Sequence, residues 1–386
     1  MKKITDINIY KKKIIIRNDF NVSIIKNKII SSERIDRSIP TIEYAIKNQA
    51  KIILMSHFGR PNEGKFEKKY SLLPIFKYLK KKIQHTKIIF KNNINDPIKI
   101  KYGEICLLEN VRFNIGETSN SKTLSKKYAT LCDIFVMDAF GSAHRMHSST
   151  YGIAKYVKKC CFGKLLISEV NSINKILKNP NRPLVSVIGG SKISTKFDLL
   201  KTLGKISDKV ILGGGIANTF IAINHNVGKS LHEKKFIKEA KKLLKKFNFF
   251  IPIDSRVGKS FSNETNVINK SVSNIKNDEE IMDIGIESEK KISYILKKAK
   301  TIVWNGPVGV FEFSNFRKGT ELVAKSISKS NAFSIAGGGD TLAIIDILKI
   351  KKNISYISTG GGAFLKFLVN GTLPIINLIK KLKKKK

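Results

Sequence analysis

Nine short apolar runs constrain the fold of this 386-residue chain more than any other feature: "KIIIRND", "KIILMSH", "CLLENVR", "IFVMDAFG", "LVSVIGG", "KVILGGG", "TIVWNGPVG", "FSIAGGGD" and "SYISTGGG". Each is rich in Ile, Val or Leu, does not alternate strictly with polar residues, and breaks off into a polar or glycine-rich loop. Strands of that kind are buried on both faces, which a parallel sheet covered by helices on both sides provides. In open parallel sheets, ligands bind beyond the carboxyl ends of the strands, where loops converge and helix N-termini point into a cleft. The residues to suspect are therefore the polar ones that follow each run. In the first half these are Arg17, Asp19 and Asn21, His57 and Arg60, Arg112, and His144 and Arg145. In the second half they are Ser191, Lys192 and Lys196, Asn218, Glu312, Asp340 and Thr341, and a glycine turn before Ala363.

The length exceeds one ordinary core and fits two domains of roughly 180 residues each. The expected fold class is α/β, with two Rossmann-like doubly wound parallel-sheet domains joined by a hinge helix. The helical stretch "LLISEVNSINKILKN" runs up to Pro180 and Pro183, a natural boundary. We expect an anion-binding domain over 1–165, an interdomain helix and linker over 166–182, and a nucleotide-binding domain over 183–367. The chain is expected to turn back at Ser358 and Thr359, so that 368–386 packs on the first domain. A rigid linker with no hinge role is the alternative.

Composition narrows the function classes. No apolar run approaches the roughly 20 residues that span a bilayer, and only Ile14, Ile15 and Ile16 precede Arg17, so there is no signal-peptide core. The expectation is a cytoplasmic protein. Cys106, Cys132, Cys160 and Cys161 show no C-x-x-C spacing and read as free thiols, with a metal or redox role as the alternative. The net charge of +42 would ordinarily suggest nucleic acid or an anionic membrane. Here the lysines are spread along the whole chain among Ile and Asn, a pattern of AT-rich codon usage, and neither zinc-finger spacing nor a long aromatic-basic stripe occurs. We expect no specific nucleic-acid partner, only salt-sensitive sticking to RNA. The tail "IINLIKKLKKKK" reads as a solvated helix end, against an amphipathic anchor. No membrane association is expected, and self-repulsion favours a monomer.

Against this lysine background only nine cations are arginines. Arginine grips carboxylate or phosphate with a planar fork that lysine cannot imitate. A single one is as well explained by a surface ion pair. Arg17, Arg60, Arg112 and Arg145 on the same side of one sheet, with Arg34 close by, describe a pocket for a small, highly charged anion.

The glycines of the second half need more care, because glycine-rich turns are common wherever backbone bends tightly. "NVGKS" and "RVGKS" end like a Walker A motif, but the required earlier glycine is Ile223 or Ile253. No G-x-G-x-x-G fingerprint occurs. What remains is Gly189-Gly190-Ser191-Lys192 with Lys196 four residues on, expected as a helix N-terminus with two lysines on one face. "GGGDTLAIIDIL" is expected to be a second such start. There Asp340 either holds hydrated magnesium or is a plain N-cap, and Thr341 caps the helix while its amide faces phosphate.

Taken together, "IRNDFNVS", "MSHFGRP", "LENVRFNIGE", "DAFGSAHR", "GGSKISTK", "GGGIANTF", "WNGPVGVFEF", "AFSIAGGGDT" and "STGGGAF" resemble, in order and spacing along essentially the whole chain, the bacterial phosphoglycerate kinase family. The departures are Ser23 where the family usually has proline and Asn18 where it has a small apolar residue; neither removes a charge. The resemblance implies reversible magnesium-dependent phosphoryl transfer from 1,3-bisphosphoglycerate to ADP, giving 3-phosphoglycerate and ATP. It implies a substrate site of Asp19, Phe20, Asn21, Arg34, His57, Phe58, Gly59, Arg60, Arg112 and Arg145. Arg60, Arg112, Arg145 and His57 would hold the substrate's phosphate, Asp19 and Asn21 its hydroxyl and carboxyl end, and Arg34 the reacting carboxyl group. It implies nucleotide contacts from Lys196, Glu312, Gly338, Gly339, Asp340 and Thr341, a metal contact from Asp340, and catalytic cations Arg34, Lys192 and Lys196. Two other readings stay open: another two-domain phosphotransferase of acetylglutamate- or aspartate-kinase type, and a catalytically retired basic protein that binds RNA. The presence of every implied site residue argues against the second.

Overall fold

A computed structural model of the chain describes residues 1–25 and 28–384. It divides into two compact units, one of residues 1–171 with 372–386 and one of residues 172–371. The helix Lys164–Leu177 runs through the first division, and the chain re-enters the first unit at Thr372, after the helix Gly362–Asn370.

The six-stranded sheet of the first unit is parallel throughout. Across it the strands lie in the order Ile88–Lys91, Ile105–Leu108, Lys51–Met55, Lys13–Arg17, Ile134–Met137, Lys159–Phe162. Ile15 stands in register between Ile53 and Phe135, and all three are fully buried. Ile14, Ile16, Ile52, Leu54, Ile105 and Val136 share one core cluster on one face. Each such side chain contributes about 1.5–3 kcal/mol by leaving water, which is why these runs lack polar alternation. The central strand Lys13–Arg17 has the next strand of this sheet, Lys51–Met55, on one side and the much later Ile134–Met137 on the other. The loops beyond its carboxyl end therefore diverge at a topological switch point.

The second unit carries a parallel sheet ordered Phe249–Phe250, Lys209–Leu212, Leu184–Ile188, Thr301–Asn305, Phe333–Gly337, Tyr356–Ser358. Numbered along the chain this is 3-2-1-4-5-6, the dinucleotide-fold order, with its switch point between Leu184–Ile188 and Thr301–Asn305. All nine apolar runs of the sequence are strands of these two sheets.

A three-stranded antiparallel sheet, Ile268–Ser271, Asp254–Gly258 and Glu280–Ile284, was not expected. Its middle strand is buried yet polar, so it shows no apolar run. Asp254 accepts from Ser288 Oγ at 2.6 Å and from the Glu287 amide at 2.9 Å, and Arg256 Nη1 donates to Glu289 Oε1 at 2.5 Å. "RVGKS" begins in this strand and "NVGKS" lies in a turn bridged to Glu280; neither glycine opens a helix, in keeping with their rejection as P-loops.

The segment after Gly190 differs from the expected helix start. The α-helix begins at Phe197, after a 3-10 turn Ser194–Lys196, so Lys192 and Lys196 do not share a helical face. Glycine makes this path possible: a Cβ on Gly189 would stand 1.6 Å from the Pro307 carbonyl oxygen, and Gly190 has φ +128°, so the backbone passes close against the Gly306 loop in a non-helical conformation open to glycine.

Candidate active site

The first unit gathers its arginines around one histidine. His57 leaves the strand Lys51–Met55 on a short loop and is buried. Its Nδ1 is 3.3 Å from Arg17 Nη2 and its Nε2 is 3.5 Å from Arg145 Nη1. Burial first, then Arg17, Arg112, Arg145 and Arg34, hold its pKa well below the ordinary histidine value, so the ring is neutral at physiological pH. With Nδ1 accepting from Arg17, the remaining proton sits on Nε2, beside Arg145. A phosphate oxygen set between them would accept from both.

Arg17 itself is not a ligand group, contrary to its place in the post-strand cluster. It is buried at the strand end, where Nε donates to Ser149 Oγ at 2.9 Å and a second nitrogen donates to the Asn18 carbonyl. Ser149 in turn donates to the buried Glu117 carboxylate at 2.5 Å. Burial raises Glu117 to about 7, with the Arg17 charge opposing. Arg17 thus orients His57 and is balanced by Glu117 through one serine.

Arg112, in the turn Val111–Phe113, is also buried and donates to the Gly59 carbonyl. Its buried Nε has no protein partner, and burial together with Arg145 and Arg17 lowers its pKa to about 10. A buried donor left unpaired among several guanidinium groups is costly unless an anion completes it. His147, nearby, is pushed down to about 4 by burial and the same arginines. Arg60 is exposed, within electrostatic reach of Arg112 and Arg145. At the other end, Arg34 on the short helix Glu33–Asp36 donates to the Asn21 carbonyl at 2.9 Å and stands 3.5 Å from Asp19 Oδ2. Asn21 Oδ1 accepts from the Gly59 amide at 2.9 Å. Gly59, at φ +62°, has Tyr70 where a Cβ would be, so this loop tolerates no side chain. Phe20 and Phe58 are buried beneath, with the Phe20 amide held by Ser56 Oγ at 2.8 Å.

Asn110 was missed at the sequence level. Its Nδ2 donates to the carbonyls of Phe58 at 2.7 Å and Tyr70 at 2.9 Å, and its Oδ1 accepts from the amides of Phe58 and Arg112, both at 3.1 Å. It fastens the His57 loop to the Arg112 turn. The available signal was an Asn within two residues of a fully buried run, where a polar side chain persists only if bonded. Asn110→Ala is expected to lower stability by about 1–3 kcal/mol, since it orphans several buried groups; urea unfolding reads this directly.

In the second unit the predicted residues flank the switch point. Lys196 Nζ folds back to donate to the Gly189 carbonyl at 2.6 Å. Burial lowers its pKa to about 8, with Asp340 as the opposing charge. Lys192 is exposed in the preceding loop. Gly338, at φ +112°, is the N-cap of the helix Gly339–Ile347, and no side chain caps it. Asp340 is therefore not a plain N-cap; it is an exposed carboxylate in the first turn beside Lys196. Thr341 does not cap either, because its hydroxyl is turned inward, donating to the Gly337 carbonyl at 3.2 Å and accepting from the Gly306 amide at 2.8 Å. Asn305, also missed, donates to the same Gly337 carbonyl at 2.5 Å. A cavity of about 270 Å³ opens here; Ala217, Ile221, Leu231, Val308 and Phe311 supply apolar lining, with Glu312 and Asp340 also lining it.

A single carboxylate at a helix N-terminus suits magnesium carried in with nucleotide phosphates, since that ion takes one or two protein carboxylates and keeps water and phosphate for the rest. Among the described residues, no group of three or more His, Cys, Asp or Glu could form a metal cage by itself.

Comparison with known proteins matches the chain to the phosphoglycerate kinase family model over residues 4–371. A phosphoglycerate kinase of Buchnera aphidicola subsp. Acyrthosiphon pisum (strain Tuc7) is 61% identical over 380 residues, covering 98% of this chain and 97% of the relative. That of Buchnera aphidicola subsp. Baizongia pistaciae (strain Bp) is 58% identical over 379 residues, covering 98% and 96%. Among solved structures, phosphoglycerate kinase from Coxiella burnetii superposes with a TM-score of 0.92 at 42% identity, covering 98% of each chain. The Pyrococcus horikoshii OT3 enzyme gives 0.84 at 30% identity over 100% of each. These matches along nearly the whole length, together with two parallel sheets whose carboxyl ends carry an arginine cluster and a glycine-rich cradle, place the chain in the phosphoglycerate kinase family.

Proposed function

We propose that the chain catalyses magnesium-dependent phosphoryl transfer between 1,3-bisphosphoglycerate and ADP, reversibly forming 3-phosphoglycerate and ATP in glycolysis. The observation that carries this reading is the grouping of Arg112 and Arg145 about a buried, neutral His57, with Arg34 beside Asp19, the one acidic member of the predicted substrate site, at the other end. That arrangement suits a small ligand with a phosphate at one end and a carboxylate at the other. Arg112, Arg145 and the His57 Nε2 proton take the phosphate, with Arg60 at the exposed edge. Asp19 and Asn21 take the hydroxyl, and Arg34 faces the reacting carboxyl group.

The nucleotide base fits the apolar cavity of the second unit, with Glu312 at the ribose and Lys196, the Gly338–Gly339 backbone and Asp340 along the phosphates. Asp340 would hold magnesium brought in with those phosphates, and the ion would neutralise part of their charge. The nucleophile is a phosphate oxygen in one direction and a carboxylate in the other, both anionic at neutral pH, so no base is required. What opposes reaction is anion repulsion and in-line geometry. Arg34, Lys192 and Lys196 answer both by placing fixed cations around the transferring group. Because the two ligands bind different units, transfer requires the units to close on each other, which also keeps water from the acyl phosphate. We assign hinge roles to the helix and linker over 166–182 and to the return of the chain between 358 and 372. A monomeric cytoplasmic enzyme fits the glycolytic role, and the +42 charge opposes self-association.

Lys196 gives this reading a pH signature. Its folded pKa, about 8, is below the ordinary lysine value, so its charge is present below pH 8 and lost above it. The kcat/KM for ATP should therefore fall with a limb near pH 8, reporting the free enzyme. In Lys196→Arg that limb should vanish; a limb that persists there assigns it to another group.

Binding to each half can be followed separately. Trp304 is the single tryptophan, and its buried indole donates to the Gly306 carbonyl at 3.0 Å, beside the nucleotide cradle. ADP should change its fluorescence with an affinity that Arg112→Ala leaves within twofold and Lys196→Ala weakens at least tenfold. Calorimetric titration with 3-phosphoglycerate should show the opposite pattern. Loss of both ligands in either variant, or of neither, contradicts the division of labour.

A further inference from the structure

The first unit contains a cavity whose lining includes none of the residues proposed above to bind substrate. It arises from the way the sheet ends. Lys159–Phe162 is an edge strand, and the N-terminal segment covers it through only one bridge, Lys3 to Phe162. The helix Pro374–Lys384 lies near, with Ile375, Ile376 and Ile379 buried; Leu382 extends that apolar face one turn further and is only half-buried. Between them is a space of about 680 Å³, inside the range of roughly 300–1,000 Å³ that holds small ligands. Ala154, Val157, Cys160, Phe162, Ile379 and Leu382 form its apolar wall. Every charged lining residue is a lysine: Lys2, Lys155, Lys158, Lys159 and Lys380. Lysine-rich composition accounts for cations anywhere on this surface, but not for an apolar cavity at a sheet edge whose charged lining is entirely lysine.

We infer that this cavity binds a single-chain anionic amphiphile, its hydrocarbon chain in the chamber and its carboxylate or phosphate head among the lysines. The two features act on different parts of the ligand. Burial of the chain provides affinity that grows about three- to fourfold per methylene. The lysines select the sign of the head group and add a salt-dependent component. Cys160 lies in the wall, its thiol 3.5 Å from the Ala154 carbonyl, and serves as a reporter of occupancy.

The test is calorimetric titration of the full-length protein with decanoate, dodecanoate and dodecyl phosphate below their micelle concentrations, with dodecyltrimethylammonium as the cationic control. We expect one site per chain, tighter binding of dodecanoate than decanoate by about tenfold, and at least tenfold weaker binding of the cation. Leu382→Asp should weaken dodecanoate at least tenfold, and Lys159→Glu with Lys380→Glu by a similar factor. Both variants should keep the circular dichroism and kinase rate of the parent, which separates loss of the site from loss of the fold. Saturating dodecanoate should also slow maleimide labelling of Cys160, located by mass spectrometry, without slowing that of Cys132. Equal affinity for the cationic and anionic amphiphiles, or binding untouched by Leu382→Asp, overturns the proposal. So does association that needs anionic vesicles and is absent with monomeric dodecanoate, which would mark a membrane-surface contact instead.

Discussion

Replacing Arg34 with alanine is expected to lower kcat/KM for 3-phosphoglycerate by about 10²–10³, the usual effect of removing one preorganised donor from a developing charge. The guanidinium is fixed before substrate arrives. It donates to the Asn21 carbonyl at 2.9 Å and faces Asp19 at 3.5 Å, while 29% of its side chain remains accessible to a ligand. Because it is partly exposed, its loss should leave the urea midpoint nearly unchanged, so that the defect is in rate and not in folding. Arg34→Lys should recover only part of the rate, because a point charge cannot hold the Asn21 carbonyl and a carboxylate with one planar fork. Assays at ~0.15 M salt keep the general positive field from masking the effect. A fall of less than tenfold would remove Arg34 from the reacting carboxyl group.

Arg17→Ala should produce the largest stability loss of any substitution discussed, about 3–5 kcal/mol, as is typical when one member of a buried charge pair is removed. Arg17 and Glu117 are both buried and are linked through Ser149, so alanine leaves Glu117 without its balancing cation. The pH dependence follows from the proton count. Glu117 is already raised to about 7 by burial, so the folded state binds a proton that the unfolded state releases above its ordinary carboxyl pKa. Stability from this group is present at low pH and lost as pH rises through the folded value. Without Arg17 that value rises further, and the deficit relative to the parent should grow between pH 5 and pH 8. Urea unfolding at several pH values measures it. A second substitution, Glu117→Gln, should recover part of the loss at pH 8 and little at pH 5. A deficit that shrinks with pH would rule out the pairing.

The sequence is most legible where burial is two-sided. Ile14–Ile16 and Val185–Ile188 leave no period to interpret, yet their length and the loops that follow identify central parallel strands. Ile88–Lys91, Lys159–Phe162 and Phe249–Phe250 escaped because each is an edge strand, short or only partly buried, and "KKCCF" or "FF" carries no such run. Asp254–Gly258 escaped for the opposite reason: it is fully buried but satisfied by hydrogen bonds to Ser288 and Glu289, partners more than thirty positions away. The chemistry of the site followed from arginines and glycines after strands, but the jobs of those residues did not. That Arg17 faces inward, that Thr341 ties down Gly306 instead of capping a helix, and that Lys192 sits in a loop and Lys196 in a 3-10 turn all depend on contacts between neighbouring loops. The collision that Gly189 avoids with Pro307 is of this kind, because it joins positions over a hundred residues apart.

If the arginine pocket and the glycine-rich cradle together phosphorylate the carboxyl group of 3-phosphoglycerate, a coupled assay of the purified chain with ATP and Mg²⁺ will show it, with 3-phosphoglycerate, N-acetylglutamate and aspartate as alternative acceptors at ~0.15 M salt. The expected result is turnover with 3-phosphoglycerate, none above background with the two amino-acid substrates, and loss of that turnover when magnesium is chelated. Folded protein that fails to turn over 3-phosphoglycerate, or that prefers another acid, would contradict it.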